Sequence, residues 1–335
     1  MRQTFWKGQG FPKRIISRLG APDKIMGIKL YKEPELKNSI MLCGWPGIGN
    51  IGLIAMDSLR GMLRAEQLGQ IEPWHFFNPR KVIIENGLLK DLEFPSNKFY
   101  FQRLKKHHLI FFIGEQQPAE GRTRYAEGQK AYQMANLVLD VAEKFGCQRV
   151  YTSGAAVTQI HHTVRPRVWA VPNNQHLIDE VKEYENTVLM SGIEGRASQG
   201  AITGLNGLLL GVAKNRGLDA VCLMGEIPYY LQGAPWPYPK ASKSVLEVVA
   251  KILDIQLQFS HLDQLAERVQ KSVEEFLETL YSTEGIPPQL RDEIERLRYA
   301  RQTELGPITE EEQKKIMEHI DELFKGEYRD DERHI

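Results

Sequence analysis

Seven residues in this chain have types and spacing that could hold or transform a ligand: Gly47, Gly49, Asn50, Glu115, His162, Arg165 and Glu226. The glycines belong to Gly44-Trp-Pro-Gly-Ile-Gly-Asn-Ile-Gly52, where four glycines and a proline in nine residues mark a backbone that turns tightly and lies open to close approach. Such a loop either cradles an anion or packs closely against a neighbour. Read literally, Gly47-x-Gly49-x-x-Gly52 matches the dinucleotide fingerprint, in which a pyrophosphate sits on a helix N-terminus. That chemistry also needs an acidic residue about 20 positions on, at the end of a second strand. The expected second strand, 74–77, is followed by Asn78-Pro79, and Glu72 lies ahead of it. The Lys-Ser/Thr ending of a P-loop is missing as well. A structural turn and a small-anion or nucleoside pocket are the readings left open.

Glu115 and Glu226 each follow a glycine at the expected end of an apolar strand, in Gly114-Glu-Gln-Gln-Pro118 and Gly225-Glu-Ile-Pro-Tyr-Tyr230. Gly154-Ala-Ala156 makes a third such junction, and the first glycine loop a fourth. Strand ends are where α/β sheets place their sites. Two carboxylates converging there could serve acid–base chemistry, a ribose or a cation; alternatively each caps a helix or pairs with an arginine. In His161-His-Thr-Val-Arg-Pro166, neighbouring histidines on an extended chain point opposite ways, so at most one faces a given pocket. His162 with Arg165 could bind an anion, or both could sit in a surface loop held by Pro166. No metal-ligand spacing, Gly-x-Ser-x-Gly elbow or Cys–His neighbour is present, so no metal, no cofactor and no catalytic nucleophile are expected.

The elements that must position these residues alternate between strand-length and helix-length apolar segments, the pattern of an α/β sandwich. Strands are expected at 39–43, 74–77, 81–85, 99–102, 109–114, 149–153, 168–171, 187–190 and 220–224. Helices are expected from residue 51, at 125–145 before Gly146, at 199–216 before Gly217, and at 239–253. The hairpin-like stretch between Lys81 and Gln102 points to a mixed sheet. From 260 to 281, Leu262, Leu265, Val269, Val273, Phe276, Leu277 and Leu280 recur at helical spacing between charges. Thr283-Glu-Gly-Ile-Pro-Pro288 breaks the chain before two charge-rich helices at 289–303 and 309–325, the latter opened by a Thr309-x-x-Glu312 capping box. The expected division is a basic arm at 1–27, an α/β core at 28–255 and a helical extension at 256–335.

With 335 residues, 42% hydrophobic and 26% charged, and a formal net charge of zero, the chain can bury a sizeable core and has no global attraction for nucleic acid or membrane. Cys43, Cys147 and Cys222 stand far apart in expected strands, as core residues of a protein in a reducing compartment. The longest apolar run, Leu109-Ile-Phe-Phe-Ile113, is too short to span a bilayer, and a cytoplasmic protein is expected. Pro228-Tyr-Tyr-Leu-Gln-Gly-Ala-Pro-Trp-Pro-Tyr-Pro239 is costly to leave exposed, so Tyr229, Tyr230, Trp236 and Tyr238 suit an interface or a pocket rim.

Leu42-Cys-Gly-Trp-Pro-Gly-Ile-Gly-Asn-Ile-Gly52 resembles the first loop of the proteasome assembly chaperone family, in the branch named for the second chaperone. Gly114-Glu115, Gly154, His162-Thr-x-Arg165-Pro166, Gly192-Ile-Glu-Gly195 and Gly225-Glu-Ile-Pro-Tyr-Tyr230 follow in the family's order, and the similarity spans roughly residues 28 to 281. The resemblance implies a three-layer α/β sandwich with a mixed central sheet, similar to purine nucleoside phosphorylases. It also implies a homo-oligomer, a trimer by likeness to bacterial members, and proteasome α-subunits or another protein as partner. Two features depart from the related patterns. The chain ends Arg333-His-Ile335, with Tyr328 the nearest tyrosine, so it lacks the hydrophobic-tyrosine-any tail that docks into α-ring pockets. The glycine loop lacks the serine that phosphorylases offer to phosphate. Two functions follow as alternatives: a non-catalytic oligomeric binding protein, or an enzyme or sensor for a small anionic or nucleoside-like ligand.

Overall fold

The computed structural model describes residues 25–119, 126–189, 201–282 and 288–300. At its centre lies β2 (Ser39–Gly44), whose six residues are all buried. A strand covered on both faces must be apolar throughout rather than alternating, and Ser39-Ile-Met-Leu-Cys-Gly44 nearly is. Ile40 and Leu42 point into one core with α1 (Ile51–Met62) and α5 (Pro239–Leu253). Met41 and Cys43 point into the other, with α2 (Gly128–Lys144) and α4 (Gly204–Arg216). Helices therefore cover both faces of the sheet.

β2 runs parallel to β7 (His108–Gly114) on one side and β8 (Cys147–Thr158) on the other, and β8 runs parallel to β11 (Asp219–Pro228). Beyond β7 the sheet continues antiparallel through β6 (Asn97–Arg103), β3 (Glu66–Ile71) and β1 (Ile28–Leu30). Beyond β11 come β9 (Val168–Pro172), antiparallel, and β10 (Thr187–Leu189), parallel to β9. The result is a nine-stranded mixed sheet. A separate two-stranded sheet is made by β4 (Lys81–Glu85) and β5 (Leu88–Glu93). Helix α6 (Ser260–Ser282) lies on α5 and buries Leu262, Val269, Val273 and Leu277; α7 (Pro288–Leu297) adds Ile294 and Leu297 to the same core. Among the described residues no helix is long and apolar enough to cross a membrane.

Several expectations need correction. Residues 74–77 do not form a strand: Pro73–His75 is a 3-10 turn, opened by a proline whose ring fixes φ for such a turn. The strand is β3, just upstream, where Gly69 and two glutamines dilute the apolar signal to Leu68 and Ile71. β8 and β11 extend well past the expected 149–153 and 220–224, so Gly154 and Gly225 sit inside ladders, opposite Met224 and Ala155. They are not strand-end junctions. β1 and α3 (Leu177–Lys182) were too short to leave a periodicity. Tyr125, residues 199–200, Met190, Gly192-Ile-Glu-Gly195 and the helix expected at 309–325 lie outside the described residues.

All three cysteines are free and buried, and burial pushes the Cys147 and Cys222 thiols up to about 12. They pack as small apolar side chains rather than reacting.

Candidate functional site

The glycine loop leaves β2, makes a 3-10 turn at Ile48–Asn50 and enters α1. Gly49 has φ +58, and a Cβ there would stand 2.9 Å from Tyr238 Cβ and 3.0 Å from Ile227 Cδ1. A Cβ on Gly52 would lie 2.1 Å from the Ser153 carbonyl oxygen, so α1 enters directly against β8. Gly47 is different: nothing lies within 4 Å of where its Cβ would be. Asn50 adopts φ 49, its N–H donates to Gly47 O at 2.9 Å, and its side chain makes no capping bond. A Cβ on Gly44 would lie 2.9 Å from Gly52 O and Met56 Cβ, so close packing accounts for three of the loop's four glycines.

Glu226 lies in β11, and its side chain is completely buried. Its Oε1 accepts hydrogen bonds from Arg167 Nε at 3.1 Å, Arg167 Nη2 at 2.8 Å and Trp169 Nε1 at 2.9 Å; its Oε2 accepts from the Arg167 backbone N–H at 2.8 Å. Four donors converge on one carboxylate, two of them from a cation that offsets the cost of burying it. Arg167 is the residue that sequence reasoning missed. It stands 59 positions away in sequence, and only the antiparallel pairing of β9 with β11 makes the two neighbours.

Glu115 also pairs with an arginine. Its carboxylate accepts from Arg80 Nη1 at 3.0 Å, from the Ser96 N–H at 3.1 Å and from Ser96 Oγ at 2.6 Å. Partial burial alone would raise its pKa, but the Ser96 hydrogen bonds and the Arg80 charge outweigh that and hold it below the ordinary carboxylate value. The residue of this cluster that reaches the glycine loop is Gln117. Its Nε2 donates to Pro46 O at 2.8 Å, and its Oε1 accepts from the Ala126 N–H at 3.2 Å and the Leu205 N–H at 3.0 Å. One buried amide ties the glycine loop, the approach to α2 and the first turn of α4 together. Gln117 stands in the Gly114-Glu-Gln-Gln-Pro118 stretch, where a neutral amide beside the charged Glu115 carries no sequence signal of its own.

His161 and His162 do not point opposite ways. The chain turns there, with the Val164 N–H donating to His161 O at 3.0 Å, and the two rings lie 4.1 Å apart. The extended geometry behind the expectation does not hold. The Tyr230 hydroxyl accepts from the His162 backbone N–H at 2.9 Å and lies 2.9 Å from His162 Nδ1, so it donates to a neutral ring. Burial first, then the neighbouring His161, Lys240 and Arg298, lowers the His162 pKa to about 3. Lys240 Nζ donates to the carbonyls of His162 and Thr163 at 2.8 and 2.9 Å, and burial lowers its pKa too.

Tyr238 bridges this histidine turn to the glycine loop: its N–H donates to Gly49 O at 2.7 Å, and with His162, Lys240 and α6 it lines a cavity of about 10 Å³. That is space for about one water molecule. Arg165 stands apart, half exposed, donating to Glu247 Oε2 of α5 at 2.8 Å. The structure therefore brings Gly49, His162 and Tyr238 together, gives Glu226 its own sealed ion pair, and engages Glu115 and Arg165 elsewhere. Tyr229 donates to Glu293 Oε1 of α7 at 2.9 Å, and Trp236 meets Phe276 of α6 edge-on at 5.3 Å. Within the chain, α6 and α7 supply the cover for this aromatic stretch. Among the described residues no group of three or more His, Cys, Asp or Glu side chains could hold a metal ion.

A mixed sheet sheathed by helices on both faces, with Glu226 and Glu115 each held in an arginine ion pair, defines an α/β scaffold. The family model of the PAC2 family matches residues 41–277, and the chain belongs to that family. It is 26% identical over 274 residues to the uncharacterized protein MJ1210 of Methanocaldococcus jannaschii, covering 80% of this chain and 96% of that one. Among solved structures it is similar to Pyrococcus furiosus PbaB, described as an archaeal proteasome activator, at 28% identity and a TM-score of 0.60 over 74% of this chain and 97% of that one. The fold is also that of P. furiosus PbaA, an archaeal homolog of proteasome-assembly chaperone, at 21% identity and a TM-score of 0.55, with 81% and 99% covered.

Proposed function

We propose that this protein is a non-catalytic, homo-oligomeric binding protein that holds a macromolecular partner, with proteasome α-subunits the first candidate. The observation that carries the reading is where the chain spends its polar and apolar residues. The carboxylate best placed for chemistry, Glu226, is buried with both oxygens taken. Aliphatic side chains stand outside instead: Val82, Ile84, Leu88 and Leu89 of the β4–β5 hairpin are 50%, 68%, 73% and 69% exposed. Trp74, edge-on to Phe94 at 4.6 Å, is exposed beside it. The register places Val82, Ile84 and Leu89 on one face of the hairpin, and exposed apolar surface of this kind suits a protein interface. Kinship with PbaB, an archaeal proteasome activator at 28% identity, supports a partner of that class.

In this reading the phosphorylase-like architecture serves as a scaffold without a phosphorylase's reaction, in an oligomer that is a trimer by family likeness, working in the cytoplasm. The core of residues 28–255 carries the binding surface, and the extension from 256 buttresses the aromatic stretch around Tyr229, Tyr230, Trp236 and Tyr238. The test is a panel of nucleosides with phosphate, followed for base release, beside binding to purified α-subunits. No release above background and saturable binding are expected. Base release that disappears in Glu226→Gln overturns the reading.

A further inference from the structure

The β4–β5 hairpin has two features that the reading above leaves unexplained. It is a two-stranded sheet of its own, joined by Asn86-Gly87 with φ of 54 and 78, the backbone of a tight type I′ turn. Isolated hairpins are marginal in water, and an open strand edge is a template for another strand. Among the described residues neither β4 nor β5 has a ladder partner on its outer side.

The two edges are not equivalent. β5 is blunted: the register shifts opposite Ile83 and Ile84, leaving Lys90 unpaired as a bulge, and Asp91 Oδ1 accepts the Leu92 N–H at 2.7 Å. β4 is regular, five residues long and free of proline. In a two-residue hairpin the flanking pair, here Glu85 and Leu88, directs its backbone groups inward, so alternate residues Ile84 and Val82 direct theirs to the open edge.

The sequence of β4, Lys81-Val-Ile-Ile-Glu85, is chemically self-complementary when reversed. Laid antiparallel on a second copy about a two-fold axis through Ile83, it sets Lys81 opposite Glu85, Val82 opposite Ile84, and Ile83 opposite itself. The residues with outward backbone groups then face each other, as a ladder requires. A one-residue slip places Lys81 opposite an isoleucine, and only the centred register pairs every charge. We propose that β4 pairs edge to edge with β4 of a second copy of this chain, joining two hairpins into one four-stranded sheet. This rests on the homo-oligomeric reading given above and names a two-fold contact, which pairs two chains and so would join trimers to one another rather than close a trimer itself. The existing ion pairs within the hairpin, Lys81 Nζ to Glu93 Oε2 at 3.1 Å and Lys90 to Glu85, are exposed and hold these side chains only weakly.

Cysteine substitutions in the full chain read the register directly, because all three native cysteines are buried. Opposed residues in an antiparallel pair have Cα atoms about 4.5–5.5 Å apart, within disulfide reach. Ile83→Cys should therefore cross-link to a dimer under mild oxidation. Val82→Cys alone should not, since its own copy lies two positions along, roughly 8 Å away. A mixture of Val82→Cys and Ile84→Cys chains should cross-link again. Val82→Cys cross-linking to itself as well as Ile83→Cys does overturns the register.

Charge reversal gives a second reading that spares the apolar residues. Lys81→Glu or Glu85→Lys alone should weaken self-association by roughly tenfold or more, since two symmetric pairs turn repulsive. The double swap should restore it. Within one hairpin the swap leaves Lys81→Glu facing Glu93 and Glu85→Lys facing Lys90, so recovery has to come from contact between copies. A double variant as weak as the singles overturns the pairing, as do single variants with unaltered self-association, the result expected if β4 instead receives a strand from a different protein. Light scattering on the parent chain separates the two layers: a monomer at micromolar concentration sinks the oligomeric reading itself, whereas an oligomer that Ile83→Cys fails to cross-link sinks only the pairing.

Discussion

Replacing Glu226 with alanine should cost more stability than removing the half-exposed carboxylate of Glu115. The carboxylate is fully buried, and the Arg167 guanidinium it neutralises is itself only 14% exposed. Removing one member of a buried pair leaves the other charge unsolvated, at a cost of about 3–5 kcal/mol. For a domain of this size each kcal/mol moves the midpoint by about 2–4 °C, so the thermal midpoint should fall by roughly 6–20 °C. Circular dichroism with temperature, and urea unfolding with an unchanged slope, measure it. The double variant Glu226→Leu/Arg167→Met should recover most of the loss, because a buried ion pair is often replaceable by apolar side chains. It should fall short by about 1–3 kcal/mol or more, because Trp169 Nε1 and the Arg167 backbone N–H both lose their acceptor. A Glu226→Ala protein as stable as the parent would refute the assignment of this carboxylate to the architecture and return it to the list of catalytic candidates.

Gly52→Ala should destabilise by at least about 1–3 kcal/mol, since its Cβ meets the Ser153 carbonyl at 2.1 Å and backbone cannot yield cheaply, whereas Gly47→Ala should change the midpoint by less than about 1 °C. Paired melting curves decide this. Gln117→Ala orphans the N–H groups of Ala126 and Leu205, and hydrogen exchange at the first turn of α4 should accelerate there before it does elsewhere. His162, lowered to about 3 from the ordinary imidazole value near 6.5, binds its proton more readily in the unfolded chain between those two values, so its contribution to stability is present above about pH 6.5 and is lost as the pH falls toward 3. His161 is shifted the same way by burial. Urea midpoints from pH 7 to pH 4 should decline, and His162→Gln should flatten the decline.

The sequence made the central strand, the glycine turn and the flanking helices legible because each carries a strong periodic or glycine signal. Ser39-Ile-Met-Leu-Cys43 is buried on both faces, and α6 keeps its apolar residues on one stripe. β3 was not legible, since two glutamines and a glycine leave it almost no apolar pattern, and Pro73 gave the neighbouring aromatic cluster a turn instead. The site was misjudged for a different reason. A glycine after an apolar run reads as a strand end, but Gly154 and Gly225 continue as ladder residues, kept free of a side chain by close neighbours: Asn206 Nδ2 at 2.6 Å from a Cβ on Gly154, and Ala241 Cβ and O at 3.0 Å from one on Gly225. Glu226 thereby moves from a strand tip to the interior. Which arginine it meets depends on β9 running antiparallel beside β11, a long-range pairing that spacing along the chain does not encode.

The central claim, that the protein binds a macromolecule rather than transforming a small one, is tested most directly by titrating the purified full chain with purified proteasome α-subunits of the same organism and following complex mass by light scattering. The account predicts a saturable complex that forms equally well with the nucleoside panel present. No complex at concentrations of tens of micromolar, together with nucleoside turnover by the same preparation, would contradict it.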